Sequence, residues 1–437
     1  MLDVLTPVPY NLRELNKIVN PVMTPEDLAK VHAAKLTPFH PLYDFNAPAK
    51  SLDTDEPWLG LNLDVTKIQD AEKLVKILQR YVYQGWFEKD QSPDKSDYNN
   101  HFRENPYRTW CQTPWLNVTE KGREAIHGLT KEFPLTSSPA FKVPEEIDKN
   151  GLAYSWGLAF YNRRFCEVYD QFFRPRNTLS FQDSEGKLAE QIRNHSINIK
   201  AKDGSVNFKL LFSAMQDWRE QMKDQWQGAY NWDAHVSTNH KVIPGSAELD
   251  QSRRSIMNIP HIQMDVGFKD SRIAGTRDEL NYWVMMTFYY DPTYSGNELL
   301  NDLNIPEPLK YMRPVGLQYG INAGESHIFP GAKNNHRPNG VELPYTATRL
   351  NGPIDSSPTS CMGCHSQSGI SFGLYPQADG KAVFAPWFGF LTQQDYDHFL
   401  SPEMGTGVSF DFNMQLDEAM KNFAKAKANR IFPASHK

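Results

Sequence analysis

His261-Ile262-Gln263-Met264-Asp265-Val266-Gly267-Phe268 alternates apolar residues with others at a period of two. That period belongs to an extended chain with one face on a core, and it predicts a β-strand. Val206-Asn207-Phe208-Lys209-Leu210-Leu211-Phe212 reads the same way, and the longer apolar run from Tyr282 to Tyr290 suits a central strand. Between the first two lies a stretch, residues 216–233, that carries Trp218, Trp226 and Trp232. Together these segments predict a β-rich unit over residues 176–320, most simply an antiparallel sheet or sandwich.

Upstream, the reading changes. Residues 1–60 are rich in proline (Pro7, Pro9, Pro21, Pro25, Pro38, Pro41, Pro48, Pro57) and read as chain wrapped over a surface. A short helix is predicted to start at Thr24-Pro25-Glu26-Asp27, where Thr24 is a cap and Pro25 suits the first turn. Residues 65–88 predict a strong helix, since Ile68, Leu74, Ile77, Leu78, Tyr81 and Val82 recur at helical spacing. A polar loop over residues 90–105 follows, then an aromatic stretch with Tyr107, Trp110, Trp115 and Leu116 that reads as core. A further helix is expected at about 119–128, before a loop with Pro134, Pro139 and Pro144. Residues 151–174 (Trp156, Leu158, Phe160, Tyr161, Phe165, Tyr169, Phe172, Phe173) predict an aromatic helix ended by Pro175. Residues 1–175 are therefore expected to be irregular and helical.

Downstream, residues 320–360 form a long irregular segment with His327, His336 and many Gly, Pro and Asn. Long loops of this kind are usually functional. This one leads into Cys361-Met362-Gly363-Cys364-His365, a C-x-x-C-H motif and the attachment signature of c-type haem. Two sulfurs at this spacing both reach the vinyl groups of one porphyrin. The next residue, His365, comes under the iron as its proximal ligand. Zinc would need four ligands, and no second C-x-x-C or H-x-x-x-H partner exists. A thiol-redox pair would follow a strand, whereas this motif follows a polar loop. The motif occurs once, so one covalent haem c is expected. A final helix at about 414–428, with Leu416, Met420 and Phe423 on one face, closes the chain. Its late Lys421, Lys425 and Lys427 suit the helix dipole. The expected fold class is α+β: a helical N-terminal part (1–175), a central antiparallel β-rich unit (176–320) and a cytochrome c-like helical haem domain (321–437).

The sixth iron ligand decides what such a haem does. A thioether there makes a carrier of raised potential, and an open position allows chemistry or gas binding. Met404, in the loop Ser401-Pro402-Glu403-Met404-Gly405 before the last helix, is the leading candidate metal ligand with His365. A core or surface methionine is the plain alternative. His398, His327 and His336 stay open, and Met414 reads as core. Arg349 and Trp387 are candidate cofactor-binding residues, because a guanidinium fork and an indole N–H suit haem propionates. Ordinary surface and core roles compete equally for them.

The C-terminal part resembles a cytochrome c domain, with the motif, a following segment and a terminal amphipathic helix in that order. The polar approach to the motif departs from the small cytochromes. A wider resemblance, over about residues 150–430, is carried by Trp283-Val284-Met285-Met286-Thr287-Phe288-Tyr289-Tyr290-Asp291, Val315-Gly316-Leu317, Arg349-Leu350-Asn351-Gly352-Pro353-Ile354-Asp355, the haem motif and Asp411-Phe412-Asn413-Met414-Gln415-Leu416. These stretches resemble large bacterial mono-haem proteins of the cytochrome c family. The resemblance implies haem binding and export, and no reaction beyond redox.

A net charge of −6 over 437 residues with no basic stripe argues against nucleic acid, and no apolar run reaches the length of a membrane span. Met1-Leu2-Asp3-Val4-Leu5-Thr6-Pro7 has neither the charged nor the apolar region of a signal peptide. Covalent haem attachment is normally completed outside the bacterial cytoplasm. The sequence is therefore read as a mature form, its leader removed, and its expected location is the periplasm. Cys111 and Cys166 are left after the haem cysteines, and an oxidising compartment permits a disulfide between them. Two separate buried thiols are the alternative. The expected function is electron transfer with an unidentified redox partner. A haem enzyme of peroxidase or oxidase type is the alternative, as is a haem-based ligand- or gas-binding module.

Overall fold

A computed structural model describes residues 25–34, 48–87, 102, 105–113, 129–131, 155–173, 200–213, 226–237, 254–320, 325–330, 361–365, 369–370, 375–376, 382–383, 408–409, 411, 413, 415–416 and 419. Three helices of more than two turns are present among them: α1 (Pro25–Ala33), α2 (Ile68–Tyr83) and α3 (Arg163–Phe173). The strands are β1 (Trp110–Cys111), β2 (Thr130–Lys131), β3 (Ser155–Asn162), β4 (Ser205–Ser213), β5 (Asn231–Ser237), β6 (Arg254–Lys269), β7 (Trp283–Tyr290), β8 (Met312–Gln318) and β9 (Ser326–Ile328). They form one nine-stranded sheet in the order β1-β3-β4-β6-β7-β8-β9, with β2 also on β3 and β5 also on β6. Every pairing in it is antiparallel.

The period of two sorts the sheet into two unlike faces. One row of partners across the first face is Phe160, Phe208, Val266, Met286 and Leu317. All five are buried in the main core with Leu158, Leu210, Met264 and Phe288. Helix α2 covers this face. Its Ala71, Leu74, Val75, Leu78, Tyr81 and Val82 are buried at three- and four-residue spacing, so its stripe matches the sheet. Each large side chain placed there stabilises the fold by about 1.5–3 kcal/mol. Gln79, the polar member of the stripe, is satisfied by Met312 O and by the Asn297 amide, both at 3.0 Å.

The second face is polar in its middle and aromatic at one end. Tyr161, Phe165, Tyr169 and Trp283 pack there, with ring centroids 4.8 to 5.7 Å apart, so α3 lies over this end of the sheet. The Cys111–Cys166 disulfide ties α3 to β1, with Cα atoms 6.0 Å apart. The disulfide permitted by the sequence is therefore formed.

The expected three-part α+β class is corrected by this architecture. Among the described residues there is neither a helical N-terminal part nor a helical haem domain; most of them belong to, or pack on, one antiparallel sheet. The sheet crosses both expected boundaries, taking β1 to β3 from before residue 176 and β9 from after residue 320. The helix expected over 151–174 is strand to Asn162 and helix only from Arg163. That stretch carries both periods, since Trp156, Leu158 and Phe160 alternate while Tyr161, Phe165 and Tyr169 recur every four. Pairing with β4 on one side and β1 and β2 on the other decides for strand. The helices expected near Pro25 and over 65–88 are present as α1 and α2, and the strands expected at 206–212, 261–268 and 282–290 as β4, β6 and β7. The helix expected at 119–128 lies outside the described residues.

Candidate cofactor site

Two rows of the second face form the floor of the site. One runs Ala159, Lys209, Asp265, Thr287, Gly316, and the next Tyr161, Asn207, Gly267, Met285, Gln318. At Gly267 the backbone and a side chain approach closely. A Cβ there would come within 2.4 Å of Asn207 Oδ1, which accepts the Gly267 N–H at 2.9 Å.

Over this floor Cys361–His365 forms a single helical turn. Gln318, fully buried on β8, accepts the Met362 N–H at 2.8 Å, and the Met362 side chain is itself buried. Thr287 Oγ1 on β7 lies 3.7 Å from Cys361 Sγ. The same hydroxyl donates to Asp265 Oδ1 at 2.9 Å, and the Gln263 amide donates to that oxygen at 2.7 Å. The helical turn places positions 361, 364 and 365 on one side. Cys361 and His365 are half-buried. A turn that sets positions 361, 364 and 365 along one side, backed by a sheet, has residue types and spacing that fit a c-type haem. Among the described residues no group of three or more His, Cys, Asp or Glu side chains gathers to hold a metal by protein ligands alone.

Behind the turn, the chain is pinned at a second place. Strand β10 (Gly369–Ile370) pairs with β13 (Val408–Ser409), and Tyr375–Pro376 (β11) pairs with Ala382–Val383 (β12). Directly after β13, Asp411 is buried, with φ +51°, against Lys269 Nζ at 3.0 Å, Trp283 Nε1 at 3.0 Å and Ala201 N at 2.6 Å. Asn413 accepts the Leu416 N–H and donates to Tyr169 OH at 2.6 Å. Gln415 Oε1 accepts from Thr113 and Tyr161 at 3.1 and 3.0 Å. Burial pushes the Tyr169 phenol well above its usual pKa, so it serves this network as a neutral group. Gln415, Leu416 and Ala419 are helical, with Leu416 and Ala419 buried, where the last helix is expected to begin.

Of the expected site residues, the structure places Cys361, Cys364 and His365 on the one turn. Arg349, Trp387, Met404, His336 and His398 lie outside the described residues. His327 is on β9 opposite Leu317, with its Nε2 2.9 Å from Val65 O and its ring 5.5 Å from Tyr319. Leu317 belongs to the first-face core, so His327 sits across the sheet from the motif. Asp265, Thr287 and Gln318 are the site residues that the sequence reading missed. Their only signal was polarity on one side of alternating strands, a pattern that ordinarily means solvent. No family model, curated protein or solved structure matches the chain.

Proposed function

We propose that the chain is a periplasmic mono-haem cytochrome, with haem c bonded through Cys361 and Cys364, His365 as iron ligand, and electron transfer as its role. The observation that carries this reading is the conformation of the motif: one helical turn, docked on β7 and β8, with Cys361 and His365 half-buried over a sheet. When bound, the haem supplies a one-electron centre. The chain's own part is to hold the His365 imidazole, to keep Cys361 in place through Thr287 and Gln318, and to cover one side with the sheet. Met404 is the proposed sixth ligand. No helix among the described residues is long and apolar enough to cross a membrane.

A haem enzyme or gas-binding module is the second reading, favoured by the polar floor. Lys209, Asp265 and Thr287 in one cross-strand row are more chemistry than a carrier needs. Optical spectra of the oxidised, reduced and CO-treated reduced protein test both readings. A far-red methionine–iron band that Met404→Ala abolishes, with no CO shift, is the expected result. A high-spin spectrum that shifts with CO transfers the case to the second reading, and absence of covalent haem overturns both.

A further inference from the structure

We propose that Asp265 and Thr287 are positioning residues for the bond that joins Cys361 to its cofactor, an inference that rests on the haem reading of the Cys361–His365 turn. Asp265 and Thr287 are cross-strand partners on β6 and β7. The Thr287 hydroxyl has one proton and gives it to Asp265 Oδ1 at 2.9 Å. In its 3.7 Å contact with Thr287 Oγ1, the Cys361 sulfur is therefore the donor. The result is a directed chain, from S–H through one hydroxyl to a carboxylate that Gln263 also holds at 2.7 Å. The Met362 N–H bond to Gln318 and the buried Met362 side chain keep the turn, and so the sulfur, over Thr287.

This chain matches the chemistry of thioether formation. Cys361 Sγ bonds to the inner carbon of a porphyrin vinyl group, the vinyl π bond and the S–H bond break, and a proton ends on the terminal vinyl carbon. Nothing is oxidised or reduced. A sulfur whose proton is drawn toward a carboxylate carries more negative charge and attacks faster. The chain reaches Cys361 Sγ, so Cys361 is the sulfur it assists.

Two measurements test this. In the first, Cys364→Ala protein made without haem is treated with iodoacetamide at neutral pH, alone and with Thr287→Val or Asp265→Asn added. Cys361 alkylation is expected to slow several-fold in both variants, with near-UV circular dichroism showing the sheet intact. Thr287→Val is nearly isosteric and keeps the test open if Asp265→Asn folds poorly. In the second, the full exported protein is examined as its pyridine haemochrome. Both variants are expected to move the band to the longer wavelength of a haem held by one thioether. An unchanged alkylation rate or an unchanged haemochrome in both variants overturns the proposal. Wild-type protein without covalent haem overturns the haem reading itself, while the alkylation rates still judge the chain from Cys361 to Asp265.

Discussion

Asp411→Ala removes the carboxylate that pins the end of the chain to the second face. The pair it belongs to is deeply buried, with the Lys269 and Asp411 side chains 6% and 2% exposed. Truncation leaves the Lys269 ammonium without its counter-charge and strips acceptors from Trp283 Nε1 and Ala201 N. Removing one partner of a buried pair costs about 3–5 kcal/mol. The lost hydrogen bonds belong to the same network, so they fall within that range rather than adding to it. With a urea dependence of about 3 kcal/mol per M, the unfolding midpoint should fall by about 1–1.7 M. The assay is urea unfolding followed by tryptophan fluorescence, where Trp283 reports directly. A control separates charge from packing: Lys269→Met with Asp411→Leu replaces the pair by apolar groups, which is often neutral or stabilising, and should recover most of the loss. A midpoint within about 0.3 M of wild type for Asp411→Ala would refute the reasoning, because even one lost buried hydrogen bond should exceed it. A double variant as unstable as the single one would show that the unpaired lysine is not the cause.

His261 gives a pH dependence. It is 1% exposed, and among the described residues neither ring nitrogen makes a well-formed hydrogen bond. Burial lowers its pKa from 6.5 to about 3, an effect that the Gln263 backbone opposes only in part. The unfolded chain therefore binds one more proton between those values, and stability falls as pH drops through the window by about 1.4 kcal/mol per pH unit. His261→Leu should flatten that slope, measured as urea midpoints between neutral pH and pH about 4.5; parallel curves would sink the assignment. Replacing Cys111 and Cys166 by serine opens a loop with a sequence separation of 55. Loop entropy puts the loss at about 4 kcal/mol, and a thermal-unfolding shift near zero would show that the bridge carries no load. Cys361→Ala with Cys364→Ala should abolish covalent haem but leave the far-UV β signal, since the core lies on the face opposite the motif.

Legibility followed the range of the interactions. Strands β4, β6 and β7 could be read because each carries a strict or wholly apolar pattern, and α2 because its stripe needs no partner to define it. The split of 151–174 into strand and helix was not legible, since both periods are present and only the neighbours β1, β2 and β4 choose between them. The polar side of β6 misled for a related reason. Asp265 and Lys269 look like solvent-facing residues, yet one bonds to Thr287, which contacts Cys361 of the C-x-x-C-H motif, and the other is buried under Asp411.

By itself the sequence determined the chemistry at stake: two cysteines and a histidine at fixed spacing, a second cysteine pair, and enough alternation to require a sheet. These are local facts, set by covalent geometry and by the two periods of the backbone. Only the tertiary structure decided that β1 to β9 form one sheet with unlike faces, that α2 packs on the first, and that Asp411 and Asn413, beyond the motif, are held against the second. It also decided which polar residues meet Cys361. Those contacts join positions 74 and 142 residues apart, as in Thr287 with Cys361 and Lys269 with Asp411, and no local pattern encodes a distance of that kind.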